Sequence, residues 1–495
     1  MGALLASCAA VGPDFQTPAL PAGAAVADYT PAPLPGDTAS ATGPGGAAQH
    51  LSFGEQIPAQ WWSLFQSPPL DELVRGAIAQ SPNLVSAQAA LRNAQELLNA
   101  QSGALRYPNV SAKAGAERER ATALSSGSPG GGVFNVYNAS VDVSYTVDAF
   151  GSTRRTLEGL QAGVDYQNFQ VEAAYLTLTS NLVTTAIKEA SLRAQLQATR
   201  EVLDAQQQQL DVLNGQFDAG AIPRATVLTQ QTQLAQTRAT LPPLEKQLAQ
   251  TRHQVAVYAG RLPNEAGSLP EFSLDSLQLP QQLPVSLPSS LARQRPDVQA
   301  SEALLHQASA QVGVATANLY PQIQLSASLG ALALTPAGLL ERSNTLWSLV
   351  GGLTQPIFNG GSLNAQRRAA VAAYDEATAQ YRGTVLNAFQ NVADALRALD
   401  ADAATLKVQA EAEALARESL ELSRSQYQLG GVSYLSLLTA QQAWLQTHVA
   451  LVQAQAARYA DTAALFSALG GGWWQRGALA DAQLAPAPAA SASTP

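Results

Sequence analysis

The feature that most constrains the fold is a stretch of helix-compatible sequence far longer than a globular domain uses. Residues 164–214 contain neither glycine nor proline, and residues 365–429 contain only one glycine, Gly383. Apolar residues recur through the first stretch at helical spacing, with Gln and Ala filling the other faces. A helix over it would extend about 77 Å at about 1.5 Å per residue, whereas the average globular helix has about 11 residues. We therefore expect long antiparallel coiled helices.

An ordered set of landmarks occurs twice along the chain. Four pairs recur in the same order at offsets of 208 to 214 residues: 81–83 with 295–297, 106–108 with 319–321, 149–151 with 357–360, and 217–220 with 427–430. Each landmark stands where a regular element has to begin or end. The pattern predicts a two-fold internal repeat, in which each copy comprises a helix, two strands and two further helices.

Each copy also carries two segments that are typical of strands. Residues 109–117, 139–148 and 322–331 alternate apolar and polar side chains with a period of two. The segment from Asn344 to Phe358 is less regular, with Trp347, Leu349 and Leu353 on one side. These segments predict one hairpin at about 107–150 and another at about 321–358. Strands of about 10–14 residues are long enough to cross an apolar band of about 25 Å when tilted.

Four strands from one chain cannot close a barrel, and lipid does not tolerate an open sheet edge. The chain must therefore oligomerise if the strands enter a membrane. Two chains would supply eight strands and an interior filled by side chains, whereas three would supply twelve and leave room for a lumen. A soluble two-layer α+β protein with half-buried sheets is the alternative that the strand pattern leaves open.

The only cysteine, Cys8, follows Leu5-Ala6-Ser7, a pattern similar to a bacterial lipobox. The Pro-, Ala- and Gly-rich stretch over 13–48 suits a tether better than a core. A lipid on Cys8 would hold the chain at a membrane. Residues 1–7 are uncharged and too short for a complete signal peptide, so we interpret them as the remnant of one. An ordinary buried free cysteine is the alternative.

Composition argues against several classes of protein. The chain has 28 Lys and Arg against 37 Asp and Glu, and the basic residues are scattered, unlike the basic stripe of a nucleic-acid binder. One cysteine and four separated histidines provide neither a disulfide framework nor metal-ligand spacing. The sequence shows no nucleophile elbow, Walker-type loop or HExxH motif, so we expect no enzyme, no metal and no cofactor. The sequence contains no run of 18 or more apolar residues, so it predicts no membrane-spanning helix.

Taken together, the motifs resemble a TolC-type outer membrane factor, specifically the lipoprotein branch that serves resistance-nodulation-division efflux pumps. The resemblance spans about residues 8 to 474, and the residues that carry it are Cys8 with 11–15, 59–62, 148–151, 287–288 with 293–298, 356–361 and 469–474. It implies an α+β membrane protein: a trimeric outer-membrane β-barrel of twelve strands, four per chain, continued by a long α-helical barrel through the periplasm.

The resemblance also implies the function and the partners. The chain would be the passive outer membrane channel of a tripartite efflux pump for small toxic compounds or drugs. Its partners would be two further copies, a periplasmic membrane-fusion adaptor, an inner-membrane transporter and outer membrane lipid, with no nucleic acid. Ala9 rather than Asp after Cys8 points to the outer membrane. The exit duct of a type I protein secretion system and a coiled-coil scaffold lipoprotein without a pore are the alternatives.

The expected organisation follows from these landmarks. A lipidated extended segment and the start of an equatorial region occupy 8–80, and repeat 1 occupies 81–270. A linker over 271–294 leads to repeat 2 over 295–474. Residues 475–495 are of low complexity and are expected to form a disordered tail.

In such proteins the tunnel narrows at its periplasmic tip, where acidic residues about one and two turns past a tip glycine commonly form rings. Aligned on Gly430, these positions fall on Ser436 and Thr439, and neither is acidic. We expect a constriction closed instead by packing of Tyr434 and Leu435 and by hydroxyl hydrogen bonds. Its selectivity would be weaker than that of a carboxylate ring. Alternatively, these residues are merely the interior of a coiled coil.

The same resemblance implies that two helix tips, Gly220-Ala221 and Gly430-Gly431, contact the adaptor. Glycine tolerates the left-handed conformation that the end of a long helix requires. Pro223 is then expected in the first turn of the returning helix. Pro242-Pro243 is expected to break or kink that helix near its middle. The second copy has no prolines at the equivalent place, so the two copies should differ there.

Overall fold

The computed structural model describes residues 10–19, 29–31, 34–121 and 132–476. Cys8, the segment 1–7 and the tail from residue 477 onward lie outside the described residues. The α-helices are α1 Pro68–Gln80, α2 Pro82–Arg106, α3 Ser152–Asp218, α4 Arg224–Ala239, α5 Leu241–Tyr258, α6 Pro288–Gln294, α7 Pro296–Ala317, α8 Ser362–Gln428 and α9 Tyr434–Ala468.

Helices α3 and α8 are as long as the glycine- and proline-poor stretches predict. Each runs for 67 residues, or about 100 Å at about 1.5 Å per residue. Helix α3 extends beyond its predicted stretch at both ends, because Gly159 and Gly215 lie within it without ending it. Helix α8 begins three residues before its predicted stretch and ends one residue before the end of that stretch. No helix in the described part of the chain contains an 18-residue stretch apolar enough to cross a membrane.

The strands form two separate sheets. They are β1 His50–Phe53, β2 Asn109–Ala121, β3 Gly132–Val147, β4 Gln282–Val285, β5 Gln322–Ala333 and β6 Thr345–Thr354. Strands β1 and β4 pair in parallel, whereas β2, β3, β5 and β6 form a four-stranded antiparallel sheet in that order. The two hairpins lie where the alternating segments predict them. The first is longer than the alternation alone indicates, because Arg118 to Ala121 continue the ladder opposite Gly132 to Asn135.

The register of the four-stranded sheet sorts its side chains onto two faces. One row joins Ala112, Val141, Leu329 and Trp347 across the four strands. The next row joins Ser111, Asp142, Ser328 and Ser348. Because successive side chains of a strand point to opposite faces, one face of the sheet is apolar and the other is polar.

The chain divides into two compact units. The sheet unit comprises the residues up to Pro18, Ala89–Asn168 and Ala300–Gly383, and it contains the four-stranded sheet. A small apolar cluster within it joins α7 to α8 through Val312, Ala315, Ala370 and Tyr374.

The helical unit comprises Ala19–Gln88, Phe169–Gln299 and the chain from Thr384 onward. Its core is aromatic. Trp61 is fully buried, and its ring centroid lies 5.7 Å from that of Phe466, 6.2 Å from Trp62 and 6.5 Å from Phe65. The ring centroid of Tyr459 lies 6.4 Å from that of Phe65. These rings hold the 3-10 turn Trp61–Phe65, which precedes α1, against the end of α9.

The two returning helices differ, as the prolines predict. The path back from Gly220 is divided at Thr240 into α4 and α5, because Pro242 and Pro243 have no N–H group to continue the helical ladder. The path back from Gly430 is one unbroken helix of 35 residues, α9. Pro223 departs from the prediction by one position: it is the N-cap residue of α4, which begins at Arg224.

Candidate channel faces and helix tips

The polar face of the sheet is centred on Asp142 in β3. Its carboxylate accepts hydrogen bonds from Ser328 Oγ at 2.7 Å and from Ser140 Oγ at 3.1 Å. Lys113 Nζ in β2 lies 3.3 Å from the same carboxylate. The network therefore ties together β2, β3 and β5 through charged and hydroxyl groups. Such a face is suited to contact with water.

The apolar face carries large side chains that nothing in the described chain covers. Trp347 is 76% exposed, Leu349 75% and Leu353 69%. Val110, Val141, Leu325 and Leu329 on the neighbouring strands are also exposed. A contiguous apolar surface of this kind marks a site of contact with a membrane or with another protein.

The two predicted tips have the same hydrogen-bonded geometry. Gly220 and Gly430 adopt the left-handed conformation, with φ of 73° and 75°. After α3, the Gly220 N–H donates to the Phe217 carbonyl and the Ala221 N–H to the Gln216 carbonyl, both at 2.8 Å. After α8, the Gly430 N–H donates to Tyr427 at 3.0 Å and the Gly431 N–H to Gln426 at 2.8 Å. Both tips are thus Schellman motifs, which require glycine at the first of the two positions.

The four residues predicted to form the gate occupy the first turns of α9. Leu435, Ser436 and Thr439 are exposed. The Ser436 N–H donates to the Oγ of Ser433, the N-cap residue, at 3.2 Å. The Thr439 hydroxyl donates to the Leu435 carbonyl at 2.9 Å. The Oγ atoms of Ser436 and Ser433 lie 2.9 Å apart. The hydroxyl groups of Ser436 and Thr439 are therefore used within their own helix and its N-cap.

Tyr434 differs from its neighbours because it packs against α3 and α4. Its ring contacts a buried cluster of Leu203, Leu210, Leu213, Val227 and Leu234. It meets Tyr427 edge to face, with centroids 5.7 Å apart and planes at 60°. Its hydroxyl donates to Gln230 Oε1. Burial, with a smaller contribution from Tyr427, raises the pKa of Tyr434 well above its ordinary value, so the hydroxyl remains a neutral donor.

Gln230, the partner of Tyr434, was not among the residues predicted from the sequence. Gln230 is fully buried, and its Nε2 donates to the Gln206 carbonyl at 2.7 Å. One signal for it was present in the sequence. Gln230 stands three residues after Val227 and four before Leu234, so it is a polar residue inside the apolar seam of α4.

A second missed cluster holds the segment after Cys8 against the sheet unit. The Val11 N–H donates to the Phe150 carbonyl at 3.1 Å, directly after β3. Arg155, which is buried, contacts the carboxylates of Asp14 at 2.6 Å and Glu158 at 2.8 Å. Although burial opposes it, hydrogen bonds from Arg155 and His306 lower the pKa of Glu158. The segment is thus fixed by charge pairs as well as by backbone contacts.

A third cluster, in the helical unit, surrounds the buried cation of Arg458 on α9. Its guanidinium donates to the Gly45 carbonyl at 2.7 Å, Thr38 Oγ1 at 3.0 Å and Gln49 Oε1 at 3.1 Å. Nearby, burial and a hydrogen bond shared with Asp461 raise the pKa of Asp402 to about 7. Among the described residues, no group of three or more His, Cys, Asp or Glu side chains is arranged to hold a metal ion.

Comparisons with known proteins agree on one family. The family model described as "Outer membrane efflux protein" matches residues 73–261 and 287–471. The chain is 33% identical over 457 residues to the pyoverdine export outer membrane protein OpmQ of Pseudomonas aeruginosa, covering 90% of this chain and 94% of OpmQ. It is 25% identical over 486 residues to the probable outer membrane lipoprotein SilC of Salmonella typhimurium, covering 95% and 97%. The solved outer-membrane channel OprN superposes with a TM-score of 0.82 at 27% identity, covering 94% and 99%.

Proposed function

The chain belongs to the outer membrane efflux protein family and acts as an outer-membrane efflux channel, and from this premise we propose that three copies join to form one passage. The observation that carries the proposal is the four-stranded sheet with one apolar and one polar face. Its outer strands, β2 and β6, each have one edge that no strand of the described chain pairs with. In this proposal the sheet is one segment of a larger closed structure.

The order of the strands fits closure by identical copies. Because β2, β3, β5 and β6 alternate in direction, β6 of one copy would run antiparallel to β2 of the next. Closure leaves no free edge, as lipid requires. Three copies give twelve strands, and the row of Ser111, Asp142, Ser328 and Ser348 would then face an aqueous lumen.

Lipid contact would also account for the exposed apolar face. Each fully buried large apolar side chain contributes about 1.5–3 kcal/mol relative to its exposed state. Trp347, Leu349 and Leu353, at 69–76% exposed, make no such contribution in a single chain. Contact with the acyl chains of the outer membrane would supply it.

An internal duplication is the second part of the proposal. The order α2, β2, β3, α3, α4 is repeated as α7, β5, β6, α8, α9, and the tips at Gly220 and Gly430 have matching geometry. With two repeats in each of three chains, six pseudo-equivalent hairpins would surround the barrel. Their long helices would line the passage through the periplasm.

The periplasmic gate would lie at the first turns of α9. Leu435 is 66% exposed and would supply the apolar closure, and Ser436 and Thr439 would line the passage without charge. Tyr434 would act through its contact with Gln230 by holding α9 in place. A pore lined by hydroxyls would discriminate less strongly between ions than one lined by carboxylates.

The tips formed by Gly220-Ala221 and Gly430-Gly431 would receive the periplasmic adaptor. They are exposed and fixed in conformation by two hydrogen bonds each. An inner-membrane transporter would supply the energy, because the chain contains no nucleotide-binding motif. The cargo would be small toxic compounds or drugs.

Lipidation of Cys8 would anchor each copy at the membrane. The first described residues, Ala10 and Val11, lie against Phe150 and Gly151 just beyond the end of β3. Two residues of chain reach about 7 Å at most. A lipid on Cys8 would therefore enter the bilayer beside the strand ends, and the name of SilC as an outer membrane lipoprotein supports the same assignment.

Two measurements on purified protein test the proposal. Native mass spectrometry in detergent is expected to give a particle of three chains. Recordings in planar bilayers are expected to show ion conductance that multivalent cations block only weakly. A monomer that stays soluble without detergent would refute the trimeric channel. Strong block at low cation concentration would refute a gate without carboxylates.

A further inference from the structure

An aromatic stack closes the seam where the first hairpin meets the second. Phe150, three residues after β3, stacks on Tyr320, two residues before β5. Their ring centroids are 4.8 Å apart and their planes lie at 21°. Each of the two residues lies three residues beyond the last pair of the ladder, Val147 opposite Ile323. The stack therefore continues the contact between the two segments beyond the last paired residues.

The matching residues at the two free edges of the sheet are uncovered. Phe358 lies four residues after β6, whereas Phe150 lies three residues after β3, and Tyr107 lies two residues before β2 as Tyr320 does before β5. Phe358 is 92% exposed and Tyr107 is 67% exposed. The same pair of aromatic residues thus occurs twice in the sequence. Only the pair inside the chain is in contact.

We propose that Phe358 of one copy stacks on Tyr107 of the next copy, so that the junction between copies repeats the junction inside each copy. This rests on the proposed function, because it requires β6 to pair with β2 of a neighbouring copy. The partner that covers each exposed aromatic ring is therefore a second copy of this chain.

The faces of the sheet provide an independent check of this pairing. With Phe358 opposite Tyr107, Leu353 falls opposite Ala112 and Leu349 opposite Ala116. All four belong to the apolar face by the pairings inside the chain. The register set by the aromatic pair therefore continues the apolar face without a break from one copy to the next.

A shift of one residue would destroy this continuity. It would set Leu349 opposite Glu117 on one side or Gly115 on the other, and both belong to the polar face. A sheet with one face in lipid and one in water does not tolerate such a slip, because every side chain of the strand would change faces. Only shifts by two residues preserve the faces, and the aromatic pair distinguishes among these.

Stacked aromatic residues suit the place where they would lie. Both pairs stand at the same ends of their strands, where the predicted membrane-spanning part of the sheet stops. Girdles of aromatic residues flank the apolar band of transmembrane barrels at both borders, and in each pair the tyrosine adds a hydroxyl group that suits contact with water. Six such stacks, three inside copies and three between them, would form a ring at one border of the barrel.

Disulfide trapping tests the pairing directly. Residues directly opposite in neighbouring antiparallel strands have Cα atoms about 4.5–5.5 Å apart, within the range that a disulfide bridges. The full-length double variant Tyr107→Cys with Phe358→Cys is expected to give covalent dimers and trimers in most chains on a non-reducing gel. Each single variant, with Cys8 unchanged, is expected to give less than about a tenth of that yield.

Two matched double variants sharpen the test. Phe150→Cys with Tyr320→Cys should form its disulfide inside one chain and give no covalent oligomer. Asn109→Cys with Phe358→Cys tests the register two residues away and should cross-link at least fivefold less than the Tyr107 pair. Equal or stronger cross-linking through Asn109 would overturn the assigned register.

The same samples separate this inference from the proposed function. Native mass spectrometry that shows three chains without cross-linking through Tyr107 would refute the stack and leave the trimer intact. Single chains only would refute both. If the cysteine pair impairs assembly, photo-crosslinking replaces disulfide trapping. Benzoylphenylalanine is then incorporated at position 358, where it keeps an aromatic ring. Its photoadduct is expected on the Tyr107 peptide of another copy, and an adduct confined to lipid would overturn the stack.

Discussion

Removing the hydroxyl of Tyr434 should loosen α9 from α4 without disturbing the packing of the ring. The hydroxyl donates to Gln230 Oε1, and Gln230 is fully buried. In Tyr434→Phe the ring keeps its contacts with Tyr427 and the leucine cluster, but Gln230 Oε1 is left without a donor. A buried acceptor that loses its partner costs about 1–3 kcal/mol. The contact that holds the start of α9 is weakened by that amount.

If this contact is made only in the closed gate, the ratio of open to closed channels should rise about 5- to 150-fold. Single-channel recordings in planar bilayers measure that ratio as the open probability. Tyr427→Phe is the matched control, since the described part of the chain offers its hydroxyl no hydrogen-bond partner. Equal open probabilities in both variants would refute the reasoning, because the two substitutions would then differ in nothing that the gate senses.

Three further predictions concern other parts of the chain. Gly430→Val should impair efflux in a drug-susceptibility assay while native mass spectrometry still shows trimers, because a left-handed φ costs a branched residue about 1–2 kcal/mol or more; full resistance would contradict this. Leu349→Arg should cost about 2–4 kcal/mol in the bilayer and reduce the trimer recovered from outer membranes, whereas Ser348→Arg, on the polar face, should not; equal losses would contradict the assignment of faces. Because the pKa of Asp402 is raised to about 7, the folded chain binds a proton more tightly than the unfolded chain, so stability should fall as pH rises from about 4 through 7. Asp402→Asn should therefore raise the thermal midpoint at pH 8 and change it little at pH 4.5. A change in the thermal midpoint at pH 4.5 without one at pH 8 would contradict this prediction.

Features set by short-range chemistry were predictable from the sequence. A period of two located β2, β3 and β5, and the left-handed turns required glycine at positions 220 and 430. The short strands β1 and β4 were not predicted. The missing N–H groups of Pro242 and Pro243 located the break between α4 and α5. Each of these follows from a few consecutive residues, because backbone geometry and hydrogen bonding act locally.

Contacts between distant segments were not predictable from the sequence. Tyr434 and Gln230 are 204 residues apart, and Arg155 and Asp14 are 141 apart. Their meeting depends on which faces of the long helices and of the N-terminal segment pack together. Periodicity shows that a helix has an apolar face but does not identify the segment that covers it. The pairing of Tyr434 inside its own chain therefore emerged only from the structure.

The division of one returning helix has a mechanical consequence. An unbroken α9 of 35 residues is a single rod about 50 Å long, so a twist applied at its Gly430 end is delivered to its Ala468 end. The route back from Gly220 is jointed at Thr240, where the helical ladder is interrupted, and a twist applied there is absorbed at the joint. Of the two returning helices, only α9 connects its tip to the aromatic core around Phe466 without a break.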